Sequence, residues 1–254
     1  MKRFAGTILL VSLEACYGGS PAAPTSGTAA VRVLMLTATA GFRHDSISTA
    51  KQVTSTLAST SDIQVTITDD PASIGAASLA DHDVLFFALT SGELPFSAEQ
   101  KAAILGFVSG GKGFVGVHSA TDTLYDWPEY GRLVGAYFKE HPWTQQASVI
   151  VENGTHPSTR SLGQRFTIED EFYTFRENPR PHVQVLLRLD PASVSATGDY
   201  PVAWTQTFGS GRVYYNALGH FPSTWNDARF QQQLVGALRW AGGAEDPSHA
   251  SGVR

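Results

Sequence analysis

The chain has 254 residues, 42% of them hydrophobic and 16% charged, which is enough for one sizeable core or at most two small ones. Aromatic side chains at 11% and scattered glycines exclude a disordered chain. The net charge is −5, with no basic run and no Lys/Arg stripe beside aromatics, so nucleic acid is not an expected partner.

Met1-Lys2-Arg3 is a short basic start, and residues 4–13 (FAGTILLVSL) are an apolar run too short to span a bilayer as a mature helix. Leu13-Glu14-Ala15-Cys16 follows and resembles a bacterial lipobox, with Glu14 an unusual occupant. The expectation is a signal peptide over 1–15, lipidation at Cys16 and a cell-envelope location. Acyl chains on one residue would then tether an otherwise soluble domain to a membrane. Cys16 is the only cysteine, so no disulfide can form within the chain. Residues 16–30 (CYGGSPAAPTSGTAA) read as a flexible tether, and 244–254 as a disordered tail.

The folded part is expected over 31–243. Residues 31–36 (VRVLML) are a short apolar run with the look of a buried strand. Asp45 or Ser46 can cap a helix reaching about residue 57. Residues 63–67 alternate as a second strand, and 83–88 (DVLFFA) form a third. Ser97-Ala98-Glu99-Gln100 is a capping box for a helix that stops at Gly110-Gly111. Residues 113–117 (GFVGV) are a fourth strand. Five more strands are expected over 148–152, 166–175, 183–189, 202–207 and 213–217, and a closing helix over 227–240. The order predicts an α/β fold, with a mostly parallel sheet flanked by helices and additional, partly antiparallel strands in the C-terminal half.

Ligands bind at the carboxyl ends of strands in open parallel sheets. That rule selects residues 38–45 (ATAGFRHD), 89–93 (LTSGE), 118–122 (HSATD) and 218–221 (LGHF), and three of these four carry a histidine. His118 follows its strand where many α/β enzymes place a nucleophile, and imidazole there can be a general acid or base, or a metal ligand. Ser119 is a weak nucleophile candidate because His-Ser-Ala lacks the glycines of G-x-S-x-G. Asp122 could orient the His118 ring, bind sugar hydroxyls or cap a helix. Arg43 offers a charged fork and His44 a second imidazole. His220 follows Gly219, which lets the backbone turn. Trp225 is a candidate platform for an apolar sugar face, although such a residue is more often core. His141 is a weak site candidate, and His156 reads as structural. His44, His118 and His220 with a water would suit zinc, yet no H-x-H or H-x-x-x-H spacing fixes any pair. In a strand, Glu169 and Glu171 share one face and Asp170 takes the other.

GFRHDSI, GVHSATDT, GAYFKEHP, HPST, EDEFYTF, PVAW, GSGRVYYNALGH and W-x-D, in that order, resemble the ThuA-like family over about residues 31–243. The resemblance implies a class I glutamine amidotransferase-like fold and a role in trehalose utilisation and wider sugar metabolism. It also points to the Asp-Glu-Phe-Tyr run as part of the site, and so to Glu171. In the amidotransferases the corresponding turn carries a catalytic cysteine; here it carries His118, which excludes cysteine-dependent glutamine hydrolysis.

The expected function is an envelope enzyme acting on a glucoside, disaccharide or keto-sugar. His118, Asp122 and Glu171 would do acid–base work, with Arg43, His44, His220 and Trp225 at the substrate and a divalent metal as an option. The alternative is a membrane-tethered sugar-binding module without chemistry. The density of titratable groups at strand ends favours the enzyme.

Overall fold

The structure, a computed structural model, describes residues 1–2 and 30–244. The expected signal peptide from residue 3 on, the expected lipidation site Cys16, the expected tether up to residue 29 and the expected tail from 245 lie outside the described residues. No helix among the described residues is long and apolar enough to cross a membrane.

Among the described residues nine strands form a single sheet. Its parallel half consists of β2 (Ile63–Thr68), β1 (Val31–Leu36), β3 (Val84–Ala88), β4 (Gly113–Val117) and β9 (Gly211–Asn216), side by side in that order. The sheet continues antiparallel through β8 (Pro201–Phe208), β7 (Gln184–Leu189), β5 (Phe138–Val151) and β6 (Arg165–Phe175).

The unbroken apolar runs of the central strands follow from burial on both faces. In β1, Val33 and Met35 pack into one core while Leu34 and Leu36 pack into the other. The first core is closed by α1 (Ile47–Ala58), α5 (Pro222–Asn226) and α6 (Ala228–Ala241), through Ala50, Trp225, Phe230 and Leu234. The second is closed by α2 (Ala76–Ala80), α3 (Ala98–Ser109) and α4 (Pro128–Val134), through Leu79, Ile104, Tyr130 and Leu133. Side chains such as Phe86, Phe87 and Phe114 are fully buried, and each contributes about 1.5–3 kcal/mol of transfer free energy.

The Ser97 capping box forms as expected: Gln100 N donates to Ser97 Oγ at 3.2 Å, and Ser97 N donates to Gln100 Oε1 at 3.0 Å. The cap expected at Asp45 or Ser46 does not form. The Ser46 hydroxyl instead donates to Gly219 O at 3.2 Å, across 173 residues, and ties the loop after β1 to the loop after β9. The short helices α4 and α5 escape the hydrophobic pattern, yet each starts with proline at its first position, a preorganised helix start. β5 starts ten residues before the expected strand at 148, because its exposed first half (FKEHPWTQQ) shows no apolar alternation.

Candidate functional site

The loops after β1, β4 and β9 bring His44, His118 and His220 together at the carboxyl ends of the parallel strands. Their ring centroids lie 4.7, 5.2 and 5.4 Å apart, all in edge-on arrangements. Glu171 of β6, from the antiparallel half, reaches the same point. Its Oε2 lies 3.0 Å from His220 Nδ1 and 3.6 Å from His118 Nε2, and its Oε1 lies 3.5 Å from His141 Nδ1. One ligand atom from each of His44, His118, Glu171 and His220 falls within 4.8 Å of every other.

His118 sits at an elbow. It follows β4 directly with φ of 55°, a left-handed conformation that a bulky residue holds only where its surroundings impose it. The ring is fully buried, and its Nδ1 lies 2.7 Å from Ala217 O. A carbonyl can only accept, so Nδ1 carries the proton and Nε2 keeps its lone pair. Tyr173 OH, 2.8 Å from Nε2, then donates to it. Tyr173 lies two residues beyond Glu171 on β6, so the strand's two-residue period puts both on the face that meets His118.

The electrostatics favour neutral His44 and His118 beside one charged carboxylate. Burial pushes His44 down to about 4, with His220 adding to the effect, and burial also holds His118 well below the usual histidine value. Each pair of imidazolium charges about 5 Å apart would cost about 3 kcal/mol at an effective dielectric near 20, so the three cannot be charged together. Burial alone would raise Glu171, but His220, His141 and His44 outweigh it and hold the carboxyl below its ordinary value. Tyr173 is pushed well above the usual phenol value by burial, so it is a neutral donor.

This donor set fits a divalent cation. Nδ1 of His44 is buried with no hydrogen-bond partner among the described residues, and His220 Nδ1, though close to Glu171, has no aligned hydrogen bond. Unpaired buried polar atoms are rare and call for an explanation. The Ala217 carbonyl fixes the His118 tautomer in the way an outer partner orients a ligating histidine. Glu171 takes the fourth place, where a water was expected beside three imidazoles. Four protein groups satisfy a tetrahedral zinc outright, whereas an octahedral ion would leave two positions open.

Asp170 underpins the site. Fully buried on the opposite face of β6, it accepts from Gly219 N (2.8 Å), His220 N (3.0 Å), Thr224 Oγ1 (2.8 Å) and Glu171 N (2.8 Å). Burial raises its pKa to about 6 despite these donors. It thereby holds the backbone that carries His220. Gly219 has φ of +131°, and a Cβ there would lie 3.1 Å from Val117 Cγ1.

Other expected positions separate from the cluster. Asp122 does not orient His118, a task taken by Ala217 O; its carboxylate accepts from Tyr125 OH at 2.6 Å. Asp122 follows a short 3-10 turn (His118–Thr121) and starts no helix. Arg43 is exposed and forms no hydrogen bond or ion pair among the described residues; its charge reaches Asp69. Trp225 offers no sugar platform, because it is fully buried with Nε1 donating to Gly219 O at 2.8 Å. Its place is beneath the His220 loop. Ser119 Oγ is buried without a hydrogen-bond partner, so no base activates it. His141 joins the site: β5 shifts register on both sides of Glu140, next to Pro142, and this irregularity brings His141 to Glu171. His156 is buried elsewhere, against Ser158 and Trp240.

Comparison with known proteins agrees with this architecture. A ThuA-like protein from Bacteroides uniformis ATCC 8492 is 25% identical, with a TM-score of 0.73 over 91% of this chain and 98% of that one. A second, from Parabacteroides merdae ATCC 43184, is 17% identical with a TM-score of 0.70, over 86% and 92% of the two chains. The fold is also similar to a GMP synthase protein from Thermoplasma acidophilum, at 8% identity and a TM-score of 0.54 over 84% and 95%. It is thus a class I glutamine amidotransferase-like α/β fold. None of the curated proteins compared matches the sequence. The ThuA family, described as trehalose utilisation, matches residues 32–241, and the chain belongs to that family.

Proposed function

We propose that the chain is an enzyme of sugar metabolism that holds a divalent metal ion on His44, His118, Glu171 and His220 and acts on a glucoside, disaccharide or keto-sugar. The observation that carries this reading is the convergence of those four ligand atoms within 4.8 Å. The family's description, trehalose utilisation, supports the substrate class. A binding module needs hydrogen bonders and aromatic faces, not four histidines around one carboxylate.

A bound ion would act as a Lewis acid on a sugar hydroxyl or carbonyl. The protein groups around it divide the remaining work. An ion on His118 Nε2 would take the lone pair that otherwise accepts from Tyr173 OH at 2.8 Å, and the phenol proton would then be free for a substrate oxygen. His141 has 47% of its side chain exposed beside Glu171 Oε1, and so offers a path for protons between the cluster and water. Asp170 keeps the His220 loop in place without touching substrate. Export and lipidation at Cys16 belong to the same proposal, supported by the basic start, the apolar run and Leu-Glu-Ala-Cys.

The test is turnover of a panel of glucosides, disaccharides and keto-glucosides by the wild type and Tyr173→Phe. A lost general acid lowers turnover by about 10²-fold or more, while metal content and melting temperature should hold. Sugar binding by the wild type without any product would contradict the enzyme reading and favour the binding module.

A further inference from the structure

We infer that Phe42 is the stacking platform of the sugar site, the role that Trp225 cannot fill. This inference rests on the sugar reading above and adds a specific residue to it.

Phe42 is 62% exposed; apart from Met1 it is the only large hydrophobic side chain left open among the described residues. A single exposed apolar residue is ordinary on a mobile loop. Here the loop backbone is tied down. Ser91 Oγ donates to Phe42 O at 2.6 Å, and the amides of Ala40 and Gly41 donate to Ser91 O at 2.7 and 3.2 Å. Thr39 and Ser91 add a parallel bridge between the loops after β1 and β3. The two loops approach so closely that a Cβ on Gly92, whose φ is +72°, would fall 2.5 Å from Gly41 N. The fold thus fixes the backbone that carries an aromatic ring open to water, where apolar burial gives that ring little.

Its position explains the arrangement. The Phe42 and His44 rings lie perpendicular with centroids 4.8 Å apart, and His44 in turn meets His118 at 4.7 Å and His220 at 5.2 Å. A pyranose ring is about as wide as these separations. Its C–H face would lie on Phe42 while its hydroxyls or carbonyl turn to the histidines and Glu171, since an aromatic face takes the apolar side of a polar ligand. Phe221, edge-on to His220 at 4.6 Å, is partly buried, which leaves Phe42 as the open ring at this edge of the cluster.

The experiment measures binding of trehalose, methyl α-glucopyranoside and a keto-glucoside to the full chain by saturation-transfer NMR and calorimetry. Wild type, Phe42→Ala and Phe42→Trp are compared, with metal content determined for each. The expected result is at least tenfold weaker binding in Phe42→Ala, near wild-type binding in Phe42→Trp, and equal metal content and melting temperature in all three. Sugar binding that is unchanged in Phe42→Ala would overturn the platform while leaving the sugar reading intact. A wild type that takes up metal yet binds none of the three sugars would overturn the sugar reading, and the platform with it.

Discussion

Replacing Trp225 separates a buried support from a ligand platform. The indole is fully buried in the core beneath the His220 loop, with its ring 5.1 Å from Phe230. Truncation to alanine removes the whole ring from a close-packed site and should cost about 3–5 kcal/mol. For a domain of this size each kcal/mol lowers the melting temperature by about 2–4 °C, so a drop of about 6–20 °C is expected. Trp225→Phe keeps most of the volume and loses the N–H donor. Gly219 O still accepts from Ser46 at 3.2 Å, so the lost hydrogen bond should cost only about 1 kcal/mol, with a small cavity term beside it. Thermal and urea unfolding of both variants give these numbers, and sugar titration of Trp225→Phe supplies the second readout, which should stay within twofold of wild type. A loss below about 1 kcal/mol in Trp225→Ala would refute the packing argument. So would sugar affinity that collapses in Trp225→Phe while stability holds.

Three further outcomes are expected. His156, buried against Ser158, has its pKa depressed to about 4 by burial. Stability from this depressed group is fully present above the unfolded value near 6.5 and is lost as pH falls from there toward 4, by up to about 3 kcal/mol. Melting curves across that window should show the loss, and His156→Asn should remove its share while that of His44 and His118 remains; a curve unchanged by the substitution would clear His156 of the effect. At the other end of the sheet, burial alone would raise Asp83, but Arg32 and Lys112, at 3.1 and 2.7 Å, hold it well below its usual value. Those partners are partly solvent-exposed, so Asp83→Asn should cost only about 1 kcal/mol at neutral pH and less below the unfolded aspartate value near 3.9; a cost that grows in acid would reverse the sign argued here. Finally, Cys16→Ser should move the chain from the membrane fraction to the soluble fraction of expressing cells, and a fractionation pattern that does not change would remove the lipid anchor.

Much of this architecture is legible in the sequence because parallel strands buried on both faces leave continuous apolar runs. Residues 31–36, 83–88 and 113–117 stand out in that way, and the strand-end rule then selects His44, His118 and His220 without any structure. Glu171 needed the family resemblance, because an acidic trio on an edge strand gives no sign of which carboxylate turns inward. Tyr173 could have been reached from Glu171 by the two-residue period of a strand. Asp170 could not, since its partners are backbone amides 49 and 50 residues away. His141 depends on an irregularity in β5 that alternation does not encode. Trp225 carries no sign of its role in the sequence because aromatic chemistry reads the same in a core and in a cleft, and Phe42 does not stand out there because exposure is a property of the folded chain.

The measurement that bears most directly on the central claim is elemental analysis of the purified full chain, before and after incubation with zinc, manganese and iron(II), beside Glu171→Gln and His118→Ala. The expected result is a stoichiometric divalent ion in the wild type that is held more weakly in Glu171→Gln and lost in His118→Ala. A folded wild type that retains no ion from any of these solutions would contradict it.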